Sequence, residues 1–321
     1  MAILTGTDCT TSRLGSGLEN CQPIEGLPNG VILTPKGWSL DKTSGTFDKA
    51  YVQEQVQLGN FIPLVGCFEA VAETPDATTQ ESQSGLIEVV RQGKPVFTCT
   101  YKKGLAFQKI AFSYNSYQQY DALITYETGY IKCAESVDGT SIKGLSVGML
   151  NTNGYTENNG TNSASTILKF QVTDPFEYNQ YVNLLTDLDF NPNTELFGIT
   201  DVTIAGRADA SENKVYIKPT WLHNEQFTIT GLASANLKLY VNGVANTIVG
   251  ASTFNTSTKE YAITPTATLV AADVVLVELY DAANAVACAQ VGNKFYRGSS
   301  GNVVASAWGT IFSNIFSEQF S

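Results

Sequence analysis

Between residues 86 and 290 the chain is cut into short runs by turn-forming dipeptides, and this punctuation restricts the fold more than any other feature. The runs 86–90, 96–101, 106–112, 122–126, 130–134 and 167–172 are rich in β-branched and aromatic residues with partial period-2 alternation. Phe97, Cys99 and Tyr101 share one face of such a run, Thr98 and Thr100 the other, as a half-buried strand requires. Between the runs stand Gln92-Gly93, Lys103-Gly104, Thr128-Gly129, Asp138-Gly139, Asn153-Gly154 and Asn159-Gly160. Asp-Gly and Asn-Gly tolerate the positive φ of tight hairpins, so antiparallel pairing is expected.

Helical signals are few. Asp48 opens a stretch in which Tyr51, Val52, Val56 and Leu58 follow helical spacing up to Gly59, which predicts a short capped helix. A second is predicted after Asp174-Pro175, an N-cap followed by proline at the first helical position, with Glu177 placed for a capping box. Tyr178, Tyr181, Val182, Leu185 and Leu188 then continue its apolar stripe to residue 188. One amphipathic helix against many strands implies a sheet or barrel with a helix packed on it.

Residues 1–46, rich in Gly, Pro, Ser and Thr with apolar islands at 31–33 and Trp38, read as an irregular arm and lead-in. Residues 73–83 are polar and aperiodic, a long exposed loop. After residue 225, runs at 226–229, 237–241, 245–249, 261–264, 274–280 and 285–290 recur about every ten residues, with an Asn242-Gly243 turn. That spacing fits a small immunoglobulin-like sandwich of the kind lacking a Cys-Trp-Cys framework. The expected organisation is a mainly β chain: arm 1–46, a β-rich assembly domain 47–222 of sandwich or barrel type with one packed helix, an Ig-like β-sandwich 223–298, and an apolar tail 299–321. In that tail Trp308, Ile311, Phe312 and Phe316 need a surface to dock on, in this chain or a neighbour's.

The chemistry-bearing residues are sparse. A formal charge of −11 argues against nucleic-acid affinity, which comes from clustered Lys and Arg. The single histidine, His223, falls at the expected domain junction. Asp187 and Asp189 are the nearest approach to a carboxylate pair, and acids at a helix end are usually solvated. Gly93-Lys94 is followed by Pro95 where a phosphate loop needs Ser or Thr, and Gly15-Ser16-Gly17 has Asn20 in place of a third glycine. Six cysteines without a C-x-x-C disfavour zinc. Cys99, Cys133 and Cys288 read as buried thiols, and Cys9 and Cys21 are the pair to expect if any bond forms. No enzyme activity, cofactor or metal is expected. There is no secretory leader pattern and no run of 18 apolar residues, so no membrane association is expected. Arg91, Lys94, Lys102, Lys103 and Lys109 form the densest basic group, a solvated or inter-subunit face.

The segments SGLIEVVRQGKPVFTCTYKKG (84–104) and AESVDGTSIKGLSVGMLNTNGYTENNGTNSASTILKFQVTDPF (134–176), within the order arm, β-rich domain, Ig-like module, resemble virion structural proteins of Bacteroidetes phages. The architecture is similar to the tail tube proteins of long-tailed bacteriophages, particularly the lambda-like kind with a C-terminal Ig-like domain. The resemblance spans roughly residues 45–290. It implies a homo-oligomer of stacked hexameric rings in the phage tail, assembled in the host cytoplasm with other tail or head proteins. DNA would pass through the lumen without specific binding, past acidic walls that repel it. Contacts between rings would then come from the 73–83 loop, with Glu73, Thr74, Pro75 and Asp76. Arg91, Lys94, Lys102 and Lys103 would lie at subunit contacts, and Trp308, Ile311, Phe312 and Phe316 would clamp an adjacent subunit. A capsid-associated decoration or head-fibre protein with an Ig-like module, or a non-catalytic glycan-binding adhesin, remain alternatives.

Overall fold

Alternation decides where the chain pairs. In the computed structural model, which describes residues 25–222 and 224–306, the chain is mainly β and divides between Phe197 and Gly198 into two units.

The first unit carries β1 (Pro28–Pro35), β2 (Ser39–Asp41), α1 (Lys49–Gln57), β3 (Ile62–Val65), β4 (Glu69–Glu73), β5 (Thr78–Glu81), β6 (Ile87–Arg91) and β7 (Val96–Tyr101). There follow α2 (Gly104–Ser113), β8 (Ser116–Tyr117), β9 (Tyr120–Tyr126), β10 (Ile131–Glu135), β11 (Ser141–Lys143) and β12 (Leu145–Thr152). It closes with β13 (Thr166–Val172), α3 (Pro175–Gln180), β14 (Val182–Leu185) and α4 (Pro192–Glu195). Its sheet runs β2-β11-β10-β9-β12-β13-β7-β4, with β1 lying between β3 and β9 and β14 on β10. β12 turns the corner: Leu145 and Ser146 pair with β9, the register shifts between Val147 and Met149, and the rest pairs with β13 and β8. The two halves thus face each other across one core. Val31, Leu33, Ala122 and Ile124 come from one half, and Phe97, Tyr101, Leu168 and Phe170 from the other, with Phe97 stacked on Phe170 at 4.9 Å. The Tyr101 hydroxyl, fully buried, donates to the Leu64 carbonyl at 2.5 Å and ties one half to the other.

The helix after Asp48 forms as its spacing predicts, with the Asp48 carboxylate accepting from the Tyr51 N–H at 2.8 Å. Val52 and Val56 are buried, and Trp38, Phe47, Tyr51 and Phe61 form edge-to-face and tilted ring contacts beside it. Three expectations change. The helix predicted to run to residue 188 stops at Gln180, and 182–185 is β14, because the edge of β10 offers backbone partners from Ile131 to Ala134. Residues 106–112, expected as a strand, belong to α2, whose Gln108 and Ala111 face inward while Leu105, Ile110 and Phe112 are exposed. The arm 1–46 is not irregular throughout: Val31, Ile32 and Leu33 of β1 are completely buried.

The second unit carries β15 (Ile199–Asp209), β16 (Lys214–Trp221), β17 (Asn224–Thr228), β18 (Leu237–Val241), β19 (Val244–Asn246) and β20 (Thr253–Asn255). It continues with β21 (Glu260–Ile263), β22 (Val274–Leu279), β23 (Ala289–Val291), β24 (Lys294–Arg297) and β25 (Val303–Ser306). They form one sheet in the order β19-β18-β22-β25-β15-β16-β21-β20 around a single core that includes Ile204, Ile217, Leu239, Tyr261 and Val277. The boundary expected at 222/223 therefore moves upstream, because β15 and β16 pair with β21, β24 and β25. Residues 303–306, assigned to the tail, are a strand of this sheet. Asn242-Gly243 makes the β18–β19 turn with positive φ at both residues, as expected.

Candidate functional site

The segment read as a loop at 73–83 is one arm of an exposed hairpin. β5 and β6 are both β-branched in part, Thr78 and Thr79 facing Arg91 and Val89 in register, with a shift between them. The turn closes through Ser82, whose N–H donates to the Leu86 carbonyl at 2.8 Å and whose hydroxyl accepts from the Leu86 N–H at 3.1 Å. Among the described residues these two strands pair only with each other. Leu86, Ile87, Val89 and Val90 are 69%, 68%, 54% and 61% exposed, an apolar cluster that water should disfavour on an isolated chain. The hairpin's root is tight. A Cβ at Gly93 would stand 1.6 Å from the Pro75 carbonyl oxygen, so only glycine fits.

The expected contact residues separate into two groups. Glu73 ends β4 opposite Val96, Thr74, Pro75 and Asp76 link β4 to β5, Arg91 ends β6, and Lys94 lies between β6 and β7. All of these gather at the root of the hairpin. Lys102 and Lys103 lie at the other end of β7, about 20 Å away along a six-residue strand. The basic group therefore does not form one patch. Lys102 holds its ammonium 3.1 Å from the Phe68 ring centre, and Lys103 donates to the Val65 carbonyl at 2.5 Å, with desolvation lowering its pKa.

Phe68 and Val71, both exposed, lie just before and within β4, whose outer edge pairs with no strand among the described residues. Sequence reasoning passed over them because the Glu-Ala-Val-Ala-Glu run of β4 is weakly apolar. It also missed the outer face of α2, where helical spacing of Leu105, Lys109 and Phe112 was the available signal. His223, Cys9, Cys21, Trp308, Ile311, Phe312 and Phe316 lie outside the described residues. Asp189 accepts from the Lys49 N–H at 2.9 Å and so serves the start of α1. Cys99, Cys133 and Cys288 are buried, as expected, and burial raises Cys133 to about 12 and Cys288 to about 11.

The second unit has an open groove of about 630 Å³ lined by Arg207, Lys214, Tyr216, Phe254, Asn255 and Glu260 among others. Its charges are already engaged. Arg207 lies 3.7 Å from the Tyr216 ring centre and pairs with Glu260 at 3.3 Å. The Tyr216 hydroxyl donates to Glu212, and its pKa is pushed to about 12, first by desolvation and then by that carboxylate. Among the described residues no group of three His, Cys, Asp or Glu side chains gathers as a metal site, and no helix is long and apolar enough to cross a membrane. No family model, curated protein or solved structure matches this chain.

Proposed function

We propose that this chain is a virion structural subunit, a phage tail tube protein that assembles with copies of itself. The observation that carries this reading is the β5–β6 hairpin: two strands outside the core sheet, with four large aliphatic side chains more than half exposed. It follows β4, whose outer edge pairs with no strand among the described residues, so one subunit offers both a projecting hairpin and a strand edge to pair with. In this reading the hairpin bridges stacked rings, the second unit is an Ig-like module, and the excess acid lets DNA slide past. Negative-stain imaging and mass photometry of the purified protein test it. Rings or tubes with a central hole are expected; a monomer at micromolar concentration overturns it.

A glycan-binding reading has the groove of the second unit in its favour, since it mixes aromatic rings with donors and acceptors. It ranks second because one face of Tyr216 is already covered by Arg207. A monodisperse monomer that retains an oligosaccharide would support it instead.

A further inference from the structure

Three polar side chains converge on one face of the sheet where β2, β11, β10 and β14 lie side by side. Glu135 of β10 lies opposite Ile142, which has Leu40 opposite it on its other side, and Cys133 lies opposite Asn183 of β14. Lys42 extends β2 by one residue, its N–H donating to the Thr140 carbonyl at 3.0 Å. Because side chains alternate along a strand, Leu40, Lys42, Cys133, Glu135 and Asn183 share one side. There the Lys42 ammonium donates to Glu135 Oε1, and the Asn183 amide donates through Nδ2 to Oε2 of the same carboxylate at 3.1 Å. Asn183 Oδ1 accepts from the Leu184 N–H at 2.8 Å. The setting is sheltered: Cys133 and Ile142 are completely buried, Asn183 is 8% exposed, and the Lys42 and Glu135 side chains are 18% and 23% exposed. Nothing in the assembly reading uses this trio.

We propose that Lys42 and Asn183 join side chain to side chain in an isopeptide bond, with Glu135 as the proton carrier. Glu135 takes a proton from the Lys42 ammonium, and the freed Nζ lone pair attacks Asn183 Cγ. The electrons of the C=O π bond move to Oδ1, at which the Leu184 N–H already points. Glu135 passes its proton to Nδ2, the nitrogen it already contacts, and takes another from Nζ. The Oδ1 electrons then re-form the carbonyl, the Cγ–Nδ2 bond breaks, and ammonia leaves with the last proton of Glu135 as ammonium. One ammonium and one amide become one amide and one ammonium, the carboxylate is restored, and no other reactant is needed. Holding the amine and the amide on the two oxygens of one carboxylate makes the step intramolecular, which removes most of the entropic barrier to joining them. The bond would run from the end of β2 to β14, so the chain carrying α1 to α3 becomes one covalently closed loop.

The test measures the intact mass of the denatured full-length protein and then maps a tryptic digest. The expected mass is one ammonia below that of the sequence, and the expected map holds a branched peptide in which Lys42 is uncut and joined to Asn183. Lys42→Arg and Asn183→Ala are expected at their full sequence masses. Glu135→Gln keeps the hydrogen-bonding shape without the base, and its bond should form at least about a hundredfold more slowly. Should Glu135→Gln not fold, the wild-type map decides by itself. A wild-type chain at its sequence mass overturns the proposal, and so does ammonia lost instead by cyclisation at an Asn-Gly pair such as Asn159-Gly160. Undiminished bond formation in a folded Glu135→Gln overturns the role given to Glu135.

Discussion

Replacing Leu86, Ile87, Val89 and Val90 together by threonine is expected to abolish assembly without unfolding the chain. Complete burial of such a side chain stabilises by about 1.5–3 kcal/mol. At exposures of 54–69%, each has more than half of that still to gain. The four together hold about 5 kcal/mol per hairpin, of which threonine's remaining methyl keeps a part. About 3 kcal/mol is lost per contact, roughly a hundredfold in the association constant. The stability of the lone subunit should barely respond, because exposed substitutions outside a packed site typically change it by less than about 0.5 kcal/mol each. Threonine also keeps the strand propensity of β6. Mass photometry over a concentration series reads the assembly, and a thermal melt reads the fold. Oligomers persisting at wild-type concentrations would refute the reasoning. So would a melting temperature lowered by about 10 °C or more, since that is the response of a packed core.

A fragment ending at residue 197 should fold alone and melt cooperatively. One ending at 224 should aggregate, because it retains β15 and β16 with Ile204 and Ile217 but removes the strands that cover them. Light scattering of the two fragments checks this. Tyr101→Phe removes the hydroxyl bonded to Leu64 and should cost about 1–2 kcal/mol, read as a lower denaturant midpoint at unchanged slope. Asp209 has its pKa lowered, first by the Ser211 hydroxyl and then by backbone N–H groups, against a desolvation that opposes them. Its stabilisation is therefore present above its unfolded pKa of about 3.9 and is lost as pH falls through the lower folded value. Ser211→Ala should narrow the difference in melting temperature between neutral and acid pH, and an unchanged difference would remove Asp209 from the acid response.

Strands were legible where both signals agreed. β7 falls on the run predicted for it because Phe97, Cys99 and Tyr101 alternate cleanly into one core, and β18 because a turn of known type fixes its end. β1 was missed: its three-residue apolar run lies between Pro28 and Pro35, and such a run gains meaning only from the partners on either side. Val182 and Leu185 satisfy the helical spacing that begins at Tyr178, yet the free edge of β10 captured them, a tertiary preference that local periodicity does not encode. The hairpin was half legible. Its apolar strand was recognised and its polar partner was read as loop, since TTQE buries nothing and so shows no alternation. The basic residues from 91 to 103 are near in sequence and far apart in space because a straight strand separates them.

The position of β1 has a consequence for synthesis. It is completed on its two sides by β3 and by β9, and Ile32 lies opposite Leu123, roughly ninety residues later in the chain. At about 5–20 residues per second, a ribosome leaves this apolar strand waiting on the order of ten seconds for its second neighbour. During that interval β1 and β3 make an antiparallel pair in which β1 still has one naked edge, and nascent chains on one polysome carry identical edges side by side. Expression at lower temperature lengthens the wait and also weakens the apolar attraction between the chains that share it.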